Sequence, residues 1–105
     1  MAVREIEPGE LSEQALLILV SLAGGPKHGY AMIQDIAAVS GRSLGPGTLY
    51  GAIARLERAG LIEPLAPEER RIPYRLTEAG ARHLGAQLGG LRRIAATGLR
   101  RLAAL

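Results

Sequence analysis

Residues 45–64 read GPGTLYGAIARLERAGLIEP, and this segment decides the fold. Pro46 suits a first helical turn, where its missing N–H would have no partner in any case. Apolar residues then recur at intervals of four and three: Leu49, Ile53 and Leu56. Polar or small residues fall on the opposite side: Thr48, Gly51, Arg55 and Arg58. The spacing predicts an amphipathic helix, and Gly60 is typical of the position that follows a helix end.

Two more helices are expected before this one. Ser12 as N-cap and Glu13 in the first turn precede an apolar run that ends in a glycine pair. The run 15–20 alone also fits a buried strand, but the cap and the length favour a helix. From Gly29 the helical pattern resumes with Tyr30, Ile33 and Ile36 or Ala37, so we expect Tyr30 in the core. Residues 40–45 would connect this second helix to the third.

A two-stranded ribbon is expected after Gly60. Residues 61–65 and 72–76 are short and strand-like, and the charged tip 68–71 lies between them. Pro64 and Pro73 fit a ribbon where the missing N–H would face outward. Such a ribbon needs helices to lean on, so Tyr74 is expected to pack against the core.

The chain ends in a long helix with an apolar seam. Thr77 is the expected N-cap, and the seam residues are spaced alternately by four and three: Leu84, Leu88, Leu91, Ala95, Gly98, Leu102 and Leu105. The seam could pack on its own domain or on a partner. A core built from residues 12–76 reaches only the first turns, so we expect a homodimer. The predicted dimer interface comprises Leu84, Leu88, Leu91, Ala95, Leu102 and Leu105.

The predicted fold class is therefore mainly α with a small β-ribbon. The order of elements is that of a winged helix-turn-helix followed by a C-terminal dimerisation helix. We expect a tail over residues 1–11, the DNA-binding domain over 12–76 and the dimerisation helix over 77–105. In this arrangement the third helix would present Thr48 and Arg55 to the major groove of double-stranded DNA.

Composition narrows the function classes. The chain has 105 residues, no cysteine and two isolated histidines, His28 and His83, so we expect no enzyme, no metal site and no cofactor. The pI is near 10.0, but residues 79–105 hold five arginines and no acid, so total charge supports DNA binding only weakly. A winged-helix module that binds proteins is the alternative. The short apolar runs and the acidic N-terminus predict a cytoplasmic protein without a membrane segment.

Three motifs resemble the PadR family of bacterial transcriptional regulators: HGYAMIQDI at 28–36, GPGTLYGAIARLERAGLIE at 45–63 and YRLTEAGARHL at 74–84. The resemblance implies a dimeric repressor whose Thr-Leu-Tyr helix reads the major groove and whose ribbon contacts the DNA backbone. The resemblance also places His28 and Gly29 near a phosphate. The chain is most similar to the branch of the family that has a single C-terminal helix. Some members bind planar drugs through tryptophan; this chain has no Trp and no Phe, which leaves open whether a small-molecule effector binds.

The predicted DNA-contacting residues are His28, Gly29, Ser43, Gly47, Thr48, Tyr50, Arg55, Arg70 and Arg71. Arg70 and Arg71 are expected to contact phosphates from the ribbon tip, where Glu68 and Glu69 partly cancel their field. Arg58, one turn beyond Arg55, fits either DNA contact or pairing on a solvated face. A two-fold dimer predicts an inverted-repeat operator with half-site centres about 34 Å apart.

Overall fold

The computed structural model describes residues 11–105. The elements are α1 (Glu13–Ala23), α2 (Gly29–Ser40), α3 (Pro46–Arg58), β1 (Ile62–Pro64), β2 (Tyr74–Leu76) and α4 (Glu78–Ala103). The predicted fold class is thereby confirmed: three helices, a two-stranded antiparallel ribbon and a long C-terminal helix. The expected tail lies outside the described residues except for Leu11, which is buried in the core.

Helix α1 is the central helix of the domain, and it is a helix rather than the alternative strand. The Ser12 hydroxyl caps it by accepting from the Ala15 N–H at 3.1 Å. Ile18 and Leu19 are completely buried, and α1 contacts α2, α3, α4 and β2. Each of the other helices therefore has one apolar side that packs against α1.

Helix α2 packs Ile33 and Ile36 against the core as predicted, but its buried side is rotated towards Gly29. Its buried residues are Gly29, Met32 and Ile36, whereas Tyr30 is 59% exposed. The expectation that Tyr30 packs in the core was wrong, because the buried stripe begins one residue earlier, at Gly29. A glycine contributes no hydrophobic side chain, so the apolar pattern alone concealed the start of that stripe.

Helix α3 has the predicted amphipathic pattern. Leu49, Ile53 and Leu56 are buried, together with Ala52. The helix ends in a left-handed glycine, Gly60, with φ 77°, and the Leu61 N–H donates to the Leu56 carbonyl at 3.0 Å. This is the Schellman arrangement, in which the left-handed residue satisfies the last carbonyls and redirects the chain into β1.

The ribbon, called the wing from here on, comprises residues 62–76. Strand β1 pairs antiparallel with β2, with Ile62 opposite Leu76 and Pro64 opposite Tyr74. Both strands are shorter than the sequence pattern predicted. The Leu65 N–H still donates to the Pro73 carbonyl at 2.8 Å, but Pro73 has no N–H to donate in return, so regular pairing ends there. At the tip, Glu68 and Arg71 exchange backbone hydrogen bonds of 2.8 and 2.9 Å, so Glu69 and Arg70 form a two-residue turn.

The wing is fastened to the helices at its base. Lys27, in the loop between α1 and α2, forms a two-way backbone bridge with Tyr74, with N···O distances of 3.2 and 2.9 Å. The Lys27 ammonium folds back onto the C-terminal end of α1, donating to the Ser21 carbonyl at 2.5 Å and lying 3.9 Å from Asp35. This third, single-residue strand fixes the wing next to the start of α2.

Helix α4 begins tightly packed against the domain. Thr77 caps it by accepting from the Gly80 N–H at 3.0 Å and donates to the Gly60 carbonyl at 2.7 Å. A Cβ at Gly80 would overlap the Leu61 carbonyl oxygen and would lie 2.8 Å from Cδ1 of Leu76. A residue without a side chain is therefore required where α4 crosses the end of α3.

One predicted dimer-interface residue belongs to the domain itself. Leu84 is only 5% exposed and is part of the hydrophobic core around α1. It is therefore not available to a partner, because the first two turns of α4 still lie against α1. The Gln87 amide, one turn further on, donates to the Leu11 carbonyl at 3.4 Å, and beyond that point α4 projects away from the domain.

Candidate nucleic-acid interface

The outer side of α3 is exposed and polar. Thr48, Arg55 and Arg58 are exposed there, and Gly51 is half-exposed. Nη1 of Arg55 would lie 3.6 Å from a Cβ placed at Gly51, so the guanidinium reaches back towards the N-terminal half of the helix. Among the described salt bridges, none involves Arg55 or Arg58. The guanidinium of Arg55 thus keeps its donors available on the outer side of α3.

A cleft of about 390 Å³ lies between the start of α2, α3 and the wing. It is lined by His28, Gly29, Tyr30, Tyr50, Arg70, Arg71, Ile72 and Tyr74. Five of these were predicted from the sequence as DNA contacts, and the fold brings them together although they come from three separate segments. The cleft and the outer side of α3 share Tyr50, so they form one continuous surface, named here the DNA face.

Tyr50 connects α3 to α2 by lying over Gly29. A Cβ at Gly29 would lie 2.7 Å from Cζ and 3.0 Å from Cε1 of the Tyr50 ring and would overlap its hydroxyl oxygen. The ring packs directly on the α2 backbone and still remains 53% exposed. Tyr50 is therefore also a packing residue that defines how closely α3 approaches the start of α2.

His28 stands at the corner where α2, the cleft and the wing meet. Its Nδ1 is the side-chain cap of α2 and accepts from the Ala31 N–H at 3.4 Å. Its Nε2 lies 3.2 Å from Nη1 of Arg71 at the wing tip. The wing tip and the start of α2 are thus in direct contact through these two side chains.

Tyr74 forms the floor of the cleft. It packs against the core as predicted from the sequence, and burial raises the pKa of its phenol, with smaller contributions from the negative charge of Glu57 and from Tyr50. The phenol is therefore neutral at physiological pH, and it adds hydrogen-bonding capacity to the cleft without adding charge.

The remaining predicted DNA contacts lie outside the cleft. Ser43 is exposed in the loop before α3, and Gly47 and Thr48 are exposed in the first turn of α3. Besides Tyr74, which was expected in the core, two cleft residues were not predicted as DNA contacts: Tyr30 and Ile72, which is 45% exposed. Each directly follows a predicted contact in the chain, Gly29 and Arg71, and this adjacency was the available signal.

A second exposed surface follows α4 beyond the domain. Large apolar side chains are exposed there: Leu88, Leu91, Ile94, Leu99, Leu102 and Leu105. Ala95 is exposed with them. Ile94 and Leu99 were missed because they lie outside the heptad-like spacing, and they widen the predicted seam on both sides. These seven residues are named the α4 stripe.

Within residues 11–105, no helix is both long enough and apolar enough to cross a bilayer. The same part of the chain brings together no group of three or more His, Asp or Glu side chains that would hold a metal ion.

The three helices, the paired wing and the basic wing tip beside the second helix define a winged helix-turn-helix protein. The chain belongs to the "Transcriptional regulator PadR-like family", whose pattern matches residues 18–86. That match covers α2, α3 and the wing completely, together with most of α1 and the packed start of α4. The family consists of transcriptional regulators and not of enzymes.

Two curated relatives match about two thirds of the chain. An "Uncharacterized 37.1 kDa protein in transposon TN4556" of Streptomyces fradiae is 51% identical over 69 residues, which are 66% of this chain and 20% of that protein. "Transcriptional activator GvpE2" of Halobacterium salinarum is 33% identical over 72 residues, 69% of this chain and 36% of that protein. The matches thus span about a fifth and about a third of these relatives.

Solved structures share the architecture over nearly the whole chain. A PadR family transcription regulator from Clostridium difficile has a TM-score of 0.77 at 26% identity, covering 87% of this chain and 99% of the other. Because almost all of that protein is covered, its arrangement of wing and C-terminal helix matches the one described here.

Proposed function

We propose that the chain is a sequence-specific DNA-binding repressor that acts as a homodimer on an inverted-repeat operator. The observation that carries this proposal is the DNA face. One exposed surface combines the polar side of α3, the start of α2 and a wing tip with two adjacent arginines, Arg70 and Arg71. A regulator of transcription acts on the chromosome, so we expect the protein in the cytoplasm.

Helix α3 is the recognition helix in this proposal. Its apolar side is buried against α1, so only the side bearing Thr48 and Arg55 can enter the major groove. An arginine there presents two donors to O6 and N7 of a guanine, the pairing that discriminates this base most strongly. Ser43 and Gly47 lie at the N-terminal end of α3, where the helix backbone comes near the phosphates.

The wing contacts the DNA backbone. Arg70 occupies the two-residue turn and Arg71 the residue after it, so both guanidinium groups are exposed at the outermost point of the wing. Contacts to phosphates carry no base preference, but they fix the register of α3 in the groove. Exchanging both arginines for alanine should therefore weaken binding to all sequences alike and reduce the salt dependence by about one unit per lost contact.

The α4 stripe forms the dimer. Burying a leucine side chain contributes roughly 1.5–3 kcal/mol, and the stripe exposes four leucines besides Leu105 at the chain end. A two-fold pairing covers the same residues on both subunits at once. It also presents two copies of α3 to successive major grooves, with half-site centres about 34 Å apart.

Repression is the expected sign of regulation, because the motifs at 28–36, 45–63 and 74–84 resemble the PadR family and that resemblance implies a repressor. The name of GvpE2 shows that a relative carries out activation. A reporter gene under the operator distinguishes the two: expression of the protein should lower reporter output, and a rise in output would make it an activator.

Two aspartates introduced into the α4 stripe test DNA binding and dimerisation together. The variant Leu88→Asp/Leu91→Asp should remain helical but become a monomer that loses most specific affinity, because each subunit then reads a single half-site. Its matched control is Ala86→Asp/Ala96→Asp, which adds the same charge at exposed positions outside the stripe. Sedimentation and fluorescence anisotropy are measured on the same samples, with DNA from upstream of the protein's own gene and a shuffled duplex.

Two outcomes contradict the proposal. If the wild type shows no preference for any duplex over shuffled DNA at low salt, the chain is the alternative, a winged-helix module that binds proteins. If Leu88→Asp/Leu91→Asp stays dimeric, or if a monomeric wild type binds its operator tightly, the dimer interface lies elsewhere.

A further inference from the structure

The imidazole of His28 has a hydrogen-bond donor on each side. The Ala31 N–H points at Nδ1 from 3.4 Å, and the guanidinium nitrogen Nη1 of Arg71 lies 3.2 Å from Nε2. A neutral imidazole has one accepting nitrogen, and arginine has donors only. Either tautomer therefore leaves one pair of donors facing each other, so residues 11–105 do not satisfy this corner among themselves.

The α2 cap favours one of the two tautomers. When Nδ1 accepts from Ala31, the proton is on Nε2, and the cap stabilises the first turn of α2. Nε2–H then faces the guanidinium of Arg71, and both groups need an acceptor. No carboxylate supplies it within residues 11–105, where the salt bridges are Lys27 with Asp35, Arg42 with Glu13 and Arg75 with Glu63.

We propose that His28 and Arg71 bind one and the same phosphate of the DNA, His28 through Nε2–H and Arg71 through Nη1–H. This inference rests on the proposed function and adds a specific pairing to it. Two donor nitrogens 3.2 Å apart are both within hydrogen-bond distance of a single oxygen placed beside them. An anionic oxygen is also the acceptor that a guanidinium binds most strongly.

The shared phosphate gives the two arginines of the wing tip different roles. Arg71 is held at the start of α2 by its contact with His28, whereas Arg70 lies in the two-residue turn and has no contact with the imidazole among the described hydrogen bonds. Binding of the phosphate therefore links the wing to α2, and through the contact of Gly29 with Tyr50 also to α3. Arg70 contacts a different phosphate.

The test measures how affinity changes when single DNA phosphates are replaced by an uncharged group. The probe is a duplex enriched by the wild type from a random DNA library, in which a neutral methylphosphonate replaces one phosphate at a time. The wild type should lose about tenfold or more in affinity at the shared position, as expected for charge-assisted hydrogen bonds. In both His28→Asn and Arg71→Ala, the sensitivity at that position should become smaller. The decrease should be larger in Arg71→Ala, because that variant loses the charged donor. Asparagine keeps a side-chain oxygen for the α2 cap but removes the Nε2 donor.

Two controls separate a shared phosphate from general weakening. Arg70→Ala should weaken binding yet retain the sensitivity at the shared position. Arg100→Ala, which removes an exposed arginine near the end of α4, should leave the whole scan unchanged. If His28→Asn unfolds by circular dichroism, His28→Ser takes its place, since serine also caps helices.

The outcomes distinguish this inference from the proposed function. Loss of sensitivity at the same single position in both variants supports the shared phosphate. Loss at two different positions, or at none, overturns it while sequence-specific binding stands. If the library yields no enriched duplex for the wild type, the proposed DNA binding fails and the shared phosphate fails with it.

Discussion

Helices α3 and α4 are both amphipathic, but they leave opposite sides exposed. In α3 the apolar side is buried, with Leu49, Ile53 and Leu56 at most 2% exposed, and the polar side faces outward. In the distal part of α4 the apolar side faces outward, with Ile94 and Leu99 at least 67% exposed. The domain thus buries the apolar side of α3 but leaves the apolar side of distal α4 exposed.

This difference indicates what each helix binds. On α3, the polar side carries an arginine that forms no salt bridge within residues 11–105, and the buried apolar side holds the helix in place. Such a surface fits a polar and charged ligand such as a DNA groove. An apolar stripe that no element of residues 11–105 covers fits a second apolar surface, since contiguous exposed apolar patches mark interaction sites. This difference supports the proposal that α3 binds DNA and that α4 binds a second copy of the chain.

The largest effects on this difference between α3 and α4 are expected from shortening one leucine in each helix. Leu56→Ala leaves a cavity in the core and should lower the free energy of unfolding by about 2–5 kcal/mol at any protein concentration. Leu99→Ala removes a residue that is exposed in the single chain, so its effect on unfolding should depend on protein concentration. Thermal unfolding measured over a hundredfold range of concentration checks both. Equal, concentration-independent losses would mean that the α4 stripe is not a subunit interface.

The polar side of α3 is tested by Arg55→Ala. If Arg55 reads a guanine, the variant should lose about 1–3 kcal/mol of discrimination between operator and shuffled DNA. Arg58→Ala, one turn along the same helix, is the comparison variant. Anisotropy titrations with both duplexes give the discrimination directly, and equal weakening on both would make Arg55 a phosphate contact.

The contact between α2 and α3 is tested by Gly29→Ala. The new Cβ would displace the Tyr50 ring, which is the movable end of a side chain, so we expect a loss of only about 1 kcal/mol in stability. DNA affinity should fall more clearly, since Tyr50 lies on the DNA face. Tyr50→Ala is the second arm of a double-mutant cycle. In the Tyr50→Ala background, Gly29→Ala should cause no further loss of stability. An additive loss would mean that the effect of Gly29→Ala does not come from contact with the Tyr50 ring.

The smallest expected effect is that of Gly51→Ala on α3. A methyl group there would meet only the Arg55 guanidinium, at an ordinary contact distance of 3.6 Å. Alanine in place of a helical glycine should therefore stabilise the protein by roughly 0.5–1 kcal/mol. Because the methyl projects from the DNA face, affinity for the operator should decrease at the same time. Unchanged affinity would show that this turn of α3 does not enter the groove.

The order of elements was predictable because each is signalled locally. Ser12 and Thr77 are N-caps, Pro46 begins α3 and Gly60 ends it, and each of these signals acts within a few residues of the chain. The errors arise where burial depends on a neighbour. Tyr30 lies beside the stripe that starts at Gly29, and Leu84 continues the α4 seam in sequence while α1 covers it in space.

Most members of the candidate site were predictable from the sequence, but the contacts between them were not. Exposed positions on α3 and at the wing tip follow from periodicity and from the charged turn. The contact of Tyr50 with Gly29 depends on how closely α2 and α3 approach. The contact of His28 with Arg71 joins residues 43 positions apart, and it exists because the bridge between Lys27 and Tyr74 fixes the wing beside α2. No local pattern carries that information.

The central claim is that the α4 stripe pairs two chains so that two α3 helices read one operator. The most direct measurement is selection of wild-type binding sites from a random DNA library, followed by sedimentation of the complex with the enriched duplex. The account predicts an inverted repeat with half-site centres about 34 Å apart and two chains on each duplex. A single asymmetric site occupied by one chain, or enrichment of no sequence, would contradict it.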